Sequence, residues 1–346
     1  MIFQWAVIGA GPAGIAAVGK LLDHGIDARS IAWIDPRFTV GDFGSIWGNV
    51  PGNTKVALFL NYLHAATSFE YKTTPHDFAI NQMDPNKTCN LSVAAEPLQW
   101  VSEKLKNKVH AIQGIAEKLA LKNREWYITL SHHAEIKAKN VILAIGANPK
   151  NLNYPSTTII ELSDAIDAVR IKNHVKPNDT VAVFGSSHSA ILVLRNLVEN
   201  NVKRIINFYQ VPLLYAVYLQ DWILFDDTGL KGVAAEWART HIDGKLPPNL
   251  QRIYSNAENI EQYLPQCDKV IYTIGFERRS LPIIENMPHI NYQEQSGIIA
   301  PGLFGVGIAF PEVNQNPLGM MEHRVGLWKF MDYLQRILPI WFNYST

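Results

Sequence analysis

Cysteine is almost missing from this chain: Cys89 and Cys267 are the only two in 346 residues, far apart and in no C-x-x-C spacing. A disulfide framework is excluded, and two free thiols in a reducing compartment are expected. An excess charge of one sign is lacking too. Thirty-one acidic residues balance thirty-one basic ones, so nothing marks a groove for nucleic acid or a face for an anionic membrane. Long apolar runs are absent as well. The stretch from Leu327 to Phe342 is broken by Lys329, Asp332, Gln335, Arg336 and Pro339, and reads as an amphipathic helix on a core. No leader segment is legible before the first apolar run. The pair His132–His133 has no metal-ligand spacing and reads as a turn, so no metal site is expected. These absences lead to the expectation of a cytoplasmic protein with neither nucleic acid nor membrane as partner.

What is present starts at the N-terminus. Trp5 to Ile8 is a short apolar run, followed by Gly9-Ala-Gly-Pro-Ala-Gly14 and a helical pattern from Ile15 to Asp23. In such a strand–turn–helix Gly9 makes the tight turn and Gly11 lets a pyrophosphate approach the backbone. Gly14 lets the helix pack on the strand, while Pro12 and Ala13 open the helix whose free N–H groups face the anion. A second strand, Ser30 to Ile34, runs into Asp35, whose carboxylate suits both hydroxyls of an adenosine ribose. The opening is therefore a dinucleotide site.

Downstream, Phe38 to Thr88 is rich in Gly, Asn, Thr and Pro and reads as a long irregular, functional segment. A helix over Pro97–Lys106 and strand-like runs at Val109–Leu121, Trp126–Ser131 and Glu135–Ile145 follow, the first two alternating like a small antiparallel sheet. After a crossover at Pro149–Pro155 a second α/β unit starts. It has a strand at Thr180–Phe184, a turn at Gly185-Ser-Ser-His-Ser-Ala190, a helix over Ile191–Glu199 and a strand at Arg204–Phe208. An aromatic-rich insertion spans 209–237. The strand Lys269–Tyr272 ends in Thr273-Ile-Gly275, and Gly302–Gly307 precedes a helix expected from about Gly319 to Ile337, with His323 and Arg324 in its first turns. The expected fold is α/β, two Rossmann-like three-layer dinucleotide-binding domains with the second inserted in the first and a small antiparallel sheet. The expected boundaries are 1–150 and 268–346 for the first domain and 151–267 for the second.

Taken together these motifs resemble the two-dinucleotide-domain flavoproteins, the pyridine nucleotide-disulfide oxidoreductase-like superfamily that includes thioredoxin reductase, flavin-containing monooxygenases and Baeyer–Villiger monooxygenases. The carriers are Gly9–Gly14 with Asp35, the strand ends Ala144-Ile-Gly146 and Thr273-Ile-Gly275, the turn at Gly185 and the run Gly302–Gly307. The resemblance implies FAD in the first site and NADPH or NADH in the second. It also implies a dithiol relay in one branch, which the missing cysteine pair rules out here. Gly41-Asp-Phe-Gly-Ser-Ile-Trp47 is similar to the G-G-x-W loop of the flavin-dependent monooxygenases, with Ser45 in place of one glycine. Pro51-Gly-Asn-Thr-Lys55 is similar to the stretch in flavin-containing monooxygenases where an Asn lies beside the reactive flavin edge. That role carries over onto Asn53, whose amide can hold reacting oxygen in a dry, donor-lined pocket. The resemblance likewise places Arg37, Ser45, Trp47, Thr54, Ala144, Gly146, Gly307 and Ile308 at the FAD. It places Gly185, Ser186, Ser187, His188, Ser189, Ala190 and Gly275 at the nicotinamide dinucleotide.

Two departures stand out. The F-x-G-x-x-x-H fingerprint of the monooxygenases is replaced by Glu161-Leu-Ser163. In the second turn Ser187 and Ala190 replace glycines, so Ser187 would crowd a pyrophosphate unless Ser186 and Ser189 offset it by donating hydrogen bonds. Neither a carboxylate nor an arginine follows the second strand at Phe208-Tyr-Gln210 to read a ribose. His188 either meets the cofactor or caps the helix. The aromatic residues Tyr209, Tyr215, Tyr218, Trp222 and Phe225 either line a substrate cleft or form local core. Three readings remain open: a monooxygenase-like oxidoreductase acting on a small molecule, a reductase or oxidase that passes electrons to a small acceptor or to oxygen, and an FAD-binding protein with a decayed nicotinamide site. A homodimer is also among the expectations.

Overall fold

The computed structural model describes residues 1–152, 154 and 157–345; residues 153 and 155 of the crossover read at 149–155 lie outside that range. Apolar runs buried on both faces assemble two parallel sheets. In the first, five strands run in the order His110–Gln113, Ile31–Asp35, Ile2–Ile8, Glu135–Leu143 and Leu303–Gly305. Val7 faces a cluster built with Ile15, Val18 and the long helices, whereas Ala6 and Ile8 face a second cluster with Leu119, Trp126 and Ile128. Glu135–Leu143 forks. Its C-terminal half pairs with Leu303–Gly305, and its N-terminal half pairs antiparallel with Glu125–Leu130, which pairs in turn with Ala116–Lys122. The small antiparallel sheet is thus an extension of the first sheet, and all nine of its strands are continuous.

The second sheet is fully parallel, in the order Thr158–Ile159, Lys269–Tyr272, Thr180–Phe184, Arg204–Tyr209, Leu250–Tyr254. Val181, Val183, Ile205 and Ile271 meet helices His188–Glu199 and Gly232–His241 on one face. Ala182, Phe184, Ile206 and Tyr272 meet Leu264 on the other, where Phe184 stacks on Phe208 at 4.6 Å.

The sequence places residues from 268 onward in the first domain. Lys269–Tyr272 instead pairs with Thr180–Phe184, because Val270, Ile271 and Tyr272 bury against the inserted unit's two cores. The return comes after Gly275, where Phe276–Arg278 pairs antiparallel with the outgoing Ala147–Pro149 and Lys150 N–H donates to the Gly275 carbonyl at 2.9 Å. A second correction concerns the last helix, which runs Leu327–Asn343. His323 and Arg324 lie on strand Met321–Arg324, hairpin partner of Glu312–Gln315. The reason is turn chemistry: Asn316 Oδ1 accepts from the N–H groups of Leu318 and Met320, and Gly319 adopts φ +83°.

Two other readings shift. Phe38–Thr88 is not irregular throughout, since it holds helix Val56–His64 and several 3-10 turns that bury Phe59, Tyr62, Phe69 and Ile80. The helix read from Pro97 begins at Leu91, with Pro97 inside it. Among the described residues no helix is long and apolar enough to cross a membrane, and no group of His, Cys, Asp and Glu is placed to hold a metal.

Candidate active site

The glycine turn at the first strand end is held from both sides. Gly9 N–H donates to the Ile34 carbonyl at 2.8 Å, and Trp33 Nε1–H donates to the Gly9 carbonyl at 2.9 Å. Gly9 sits at φ +112°, where a side chain would also strike the Ala144 carbonyl. A Cβ on Gly14 would run into the Gly9 carbonyl oxygen, so the helix can sit this close to the strand only as glycine. Gly11 is different: a Cβ there meets nothing within 4 Å. The space above Gly11 is free, and the helix that begins at Pro12 directs the N–H groups of Ala13 and Gly14 toward that end. This is a fit for a pyrophosphate. Gly307 packs directly over Ala13, where an added Cβ would stand 2.7 Å from the Ala13 methyl.

Asp35, nearly buried, ends the second strand as expected. Its Oδ2 accepts from Ala10 N–H at 2.8 Å, and its Oδ1 from Arg37 and Phe38 N–H at 2.8 and 2.7 Å. Three of a carboxylate's four acceptor sites are therefore filled, leaving room for one ribose hydroxyl where the sequence suggested two. The loop Gly41–Ser45 leans on the turn, a Cβ on Gly41 lying 3.0 Å from Gly11 Cα. Its Asp42 pairs with Arg37 at 3.6 Å and, more tightly, with Arg279, which also donates to Asn148 Oδ1 at 2.9 Å. Asp42 and Arg279 escape a reading of the sequence because they meet across 237 residues. Ser45 is exposed, its hydroxyl donating to the Gly41 carbonyl, and Trp47 sits edge-on to Phe276 at 6.1 Å. Trp47 thus anchors its loop to the inserted unit.

The second turn repeats the first. Gly185 N–H donates to the Phe208 carbonyl at 2.9 Å, Asn207 Nδ2 donates to the Gly185 carbonyl at 2.8 Å, and Thr273 stands where Ala144 stands in the first unit. The serines divide. Ser186 is buried with its hydroxyl donating to the Val211 carbonyl at 3.1 Å, so it cannot donate to a phosphate as the sequence suggested. Ser187 is exposed at the start of helix His188–Glu199, and with Ser189 it faces open space, while Ala190 is fully buried. His188 does not cap the helix; its Nε2 meets the Pro51 carbonyl at 3.4 Å. Burial lowers its pKa to about 4, against a partial lift from Pro51, so the imidazole is neutral at ordinary pH, and its Nδ1 is buried without a hydrogen-bond partner among the described residues.

The second turn opens on a cleft of about 1100 Å³ that residues of both units line. Asn53, Thr54 and Ile308 line it from the first unit, and Ser187, His188, Ser189 and Gly275 from the second. Asn53 lies on strand Pro51–Lys55, exposed to the cleft, with Thr54 Oγ1 donating to its Oδ1 at 3.3 Å and its amide Nδ2–H groups without an acceptor among the described residues. Gly146, by contrast, is not on the cleft wall but beside the Arg279 guanidinium. The insertion roofs the space: Tyr218 and Trp222 line it, and Asp226 receives both Lys231 and Lys329. Burial pushes the Asp226 carboxyl up, but the two ammonium groups outweigh it and hold the carboxyl below its usual range. That bridge fastens the insertion to the first turn of the last helix. The N-terminus of that helix, at Gly326 and Leu327, faces the cleft; His323 and Arg324 line the cleft from the strand ahead of the helix rather than from its first turns, and Arg324 pairs with Glu312 and Asp332.

The sequence profile of the pyridine nucleotide-disulphide oxidoreductases matches residues 3–287. The chain belongs to this family. A relative named monooxygenase AgnR1, from Paecilomyces divaricatus, is 34% identical over 97% of both chains. The fold is shared with a flavin-containing monooxygenase from Stenotrophomonas maltophilia (TM-score 0.65, 16% identity, 99% of both chains) and an ornithine N-hydroxylase from Kutzneria sp. 744 (TM-score 0.68, 12% identity, 99% of both chains). Like other members of the pyridine nucleotide-disulphide oxidoreductase family, this chain is an FAD-dependent oxidoreductase with a second dinucleotide unit for NAD(P)H. It is a member without dithiol chemistry, since Cys89 and Cys267 are both buried and free, and burial pushes the Cys267 thiol up to about 11.

Two glycines separate fold from cofactor. Gly14→Ala is expected to lower unfolding free energy by roughly 3 kcal/mol or more, the scale of overpacking at a rigid contact. Gly11→Val is expected to keep the melting temperature of the flavin-free protein but purify without flavin, and a yellow Gly11→Val protein would show that the pyrophosphate lies elsewhere. His188 gives a pH signature. Its folded pKa lies below the ordinary 6.5, so the unfolded chain binds the proton first. The stability it contributes is whole above about pH 6.5 and drains as pH falls toward 4. Thermal melts across that window should fall less steeply for His188→Asn than for the unaltered protein.

Proposed function

We propose that the chain is a monooxygenase that takes hydride from a reduced nicotinamide through FAD and delivers oxygen to a small molecule held between the two units. The observation that carries this is the shared cleft, in which Asn53 and Ile308 of one unit meet Ser187, His188 and Ser189 of the other. FAD, when bound, supplies the exchange of an electron pair between nicotinamide and oxygen.

The chain's own residues do the rest. Ala13 and Gly14 offer N–H groups to the pyrophosphate, and Asp35 receives one ribose hydroxyl. Asn53 offers its free amide hydrogens at the reacting edge, where a fixed donor stabilises developing negative charge on oxygen. Neutral His188, tied to Pro51, sets the second turn against the strand that carries Asn53. Tyr218, Trp222 and Phe276 give the cleft an aromatic wall on which a small substrate can pack. One observation favours the oxidase reading instead: Asn53 is exposed rather than sealed, so oxygen bound beside it would be open to solvent.

The deciding experiment is an anaerobic titration of the purified yellow protein with reduced nicotinamide, followed by readmission of oxygen. Bleaching on titration is expected, with slow recolouring and little hydrogen peroxide when oxygen returns. Asn53→Ala should raise peroxide yield several-fold at unchanged bleaching rate. A flavin that neither NADPH nor NADH bleaches would overturn the reading.

A further inference from the structure

Of the lysines and arginines that line the cleft, Lys55 alone has no anionic partner among the described residues. Lys231 and Lys329 share Asp226, and Arg324 pairs with Glu312 and Asp332. The Lys55 ammonium forms neither an ion pair nor a hydrogen bond among those residues; it rests over the Tyr218 ring, 4.1 Å from its centre. A ring face attracts a cation far less than a carboxylate does, so the charge is sheltered but not neutralised.

The local fold makes this a costly place for a lysine. Lys55 ends strand Pro51–Lys55 and precedes helix Val56–His64, at the positive end of its dipole, and no acidic residue stands in the helix's first turn. The N–H groups of Val56 and Ala57 already donate to the carbonyls of Lys87 and Pro85, so an anion arriving here would meet the lysine side chain. Three further carboxylates line the cleft, and none pairs with Lys55. Asp227 accepts from His323 N–H at 3.3 Å, Glu322 accepts from Asn316 Nδ2 at 2.9 Å, and Asp221 is exposed in the turn of its hairpin.

The surroundings of Lys55 are aromatic. Tyr218 and Trp222 both belong to the hairpin of strands Val217–Tyr218 and Ile223–Leu224, and both line the cleft. Burial, helped by Asp226, holds the Tyr218 phenol above its ordinary pKa, so the ring brings no charge of its own. Asn53 lies two residues before Lys55 on one strand and lines the same cleft. The rise of a strand separates the two by roughly 6.5 Å, a span that one aromatic ring with its substituent can bridge.

We propose that Lys55 receives the carboxylate of an aromatic acid whose ring packs on Tyr218 and Trp222, so that the substrates of this cleft are aromatic carboxylates. One carboxylate matches one ammonium, and it displaces the ring face as the stronger partner. It also arrives ionised at ordinary pH, whereas a phenol would first have to lose its proton. A ring held between Lys55 and Asn53 covers the amide that otherwise stands open to solvent. This rests on the monooxygenase reading of the cleft given above, and it names the substrate class.

Two measurements test the site and that reading separately. Calorimetry on the purified full chain compares 2-naphthoate with the neutral 2-naphthamide and with decanoate, a carboxylate without a ring. The naphthoate is expected to bind about tenfold more tightly than either, the scale of one charge-assisted contact. Lys55→Met should bring naphthoate down to the level of the amide, Lys55→Arg should keep the gap, and Tyr218→Leu should weaken both aromatic ligands. Salt should weaken naphthoate and leave the amide unchanged, a readout that needs no variant. Equal affinity for naphthoate and naphthamide, or a gap that survives Lys55→Met, would overturn the assignment, and decanoate binding as tightly as naphthoate would overturn its aromatic part. The second measurement is anaerobic bleaching of the flavin by NADPH and NADH. Lys55-dependent binding of naphthoate to a protein that neither nucleotide bleaches would uphold the acid site and remove the monooxygenase reading. Bleaching without any preference for the acid would do the reverse.

Discussion

Everything in this molecule depends on how closely a helix can approach the end of a strand. At Gly14 the helix backbone rests on the Gly9 carbonyl with no room for a methyl group, and that contact sets the position of the N–H groups that face the open space over Gly11. Move the helix outward and the anion site loses its donors, Gly307 loses its seat on Ala13, and the carboxyl end of the sheet is no longer lined up with the cleft. The second unit obeys the same constraint with other means. Gly185 turns against Thr273, whose hydroxyl donates to the Phe184 carbonyl, and Asn207 does for it what Trp33 does for Gly9. Two polar side chains thus replace an apolar contact and an indole in keeping the turn rigid.

The cleft is a product of the way the two units are tied. Asn49 donates to Asp167, Arg170 to the Ile46 carbonyl, and His188 meets the Pro51 carbonyl. These ties run from the loop after the first turn to the inserted unit, so the first unit's loop and the second unit's turn share a framework. On the far side Asp226 with Lys231 and Lys329 holds the aromatic insertion against the last helix. Removing either lysine would leave a largely buried carboxylate short of charge, which is why such a bridge fixes geometry more than it adds stability.

The parts that could be read from the chain are those fixed locally. Gly9, Gly11 and Gly14 are spaced along one strand–turn–helix with Asp35 at the end of the next strand, and the turn stands where the sequence puts it. Thr273-Ile-Gly275 is legible as an echo of Ala144-Ile-Gly146, but the sequence places the strand leading into it in the first domain, since pairing partners are not written in a run of Val-Ile-Tyr. The hairpin at Glu312–Arg324 was hidden because its turn, Asn316 to Gly319, interrupts a pattern otherwise compatible with a helix. The sequence suggests Ser186 as a phosphate donor, but its hydroxyl donates to the carbonyl of Val211, 25 residues away, a partner no local pattern shows.

The hydrogen bond between Lys150 and Gly275 has a meaning for the history of the chain. The inserted unit leaves and rejoins its host at adjacent points, through one short two-stranded pair. A host whose cut ends already touch need not stretch to admit a guest, and a guest whose termini meet could be excised and the gap closed by a few residues. The arrangement is modular: two copies of one nucleotide-holding design, threaded so that the later copy sits within the earlier at a single seam. That seam is also the place where the active cleft of one could be fitted with a differently tuned donor unit without refolding the other.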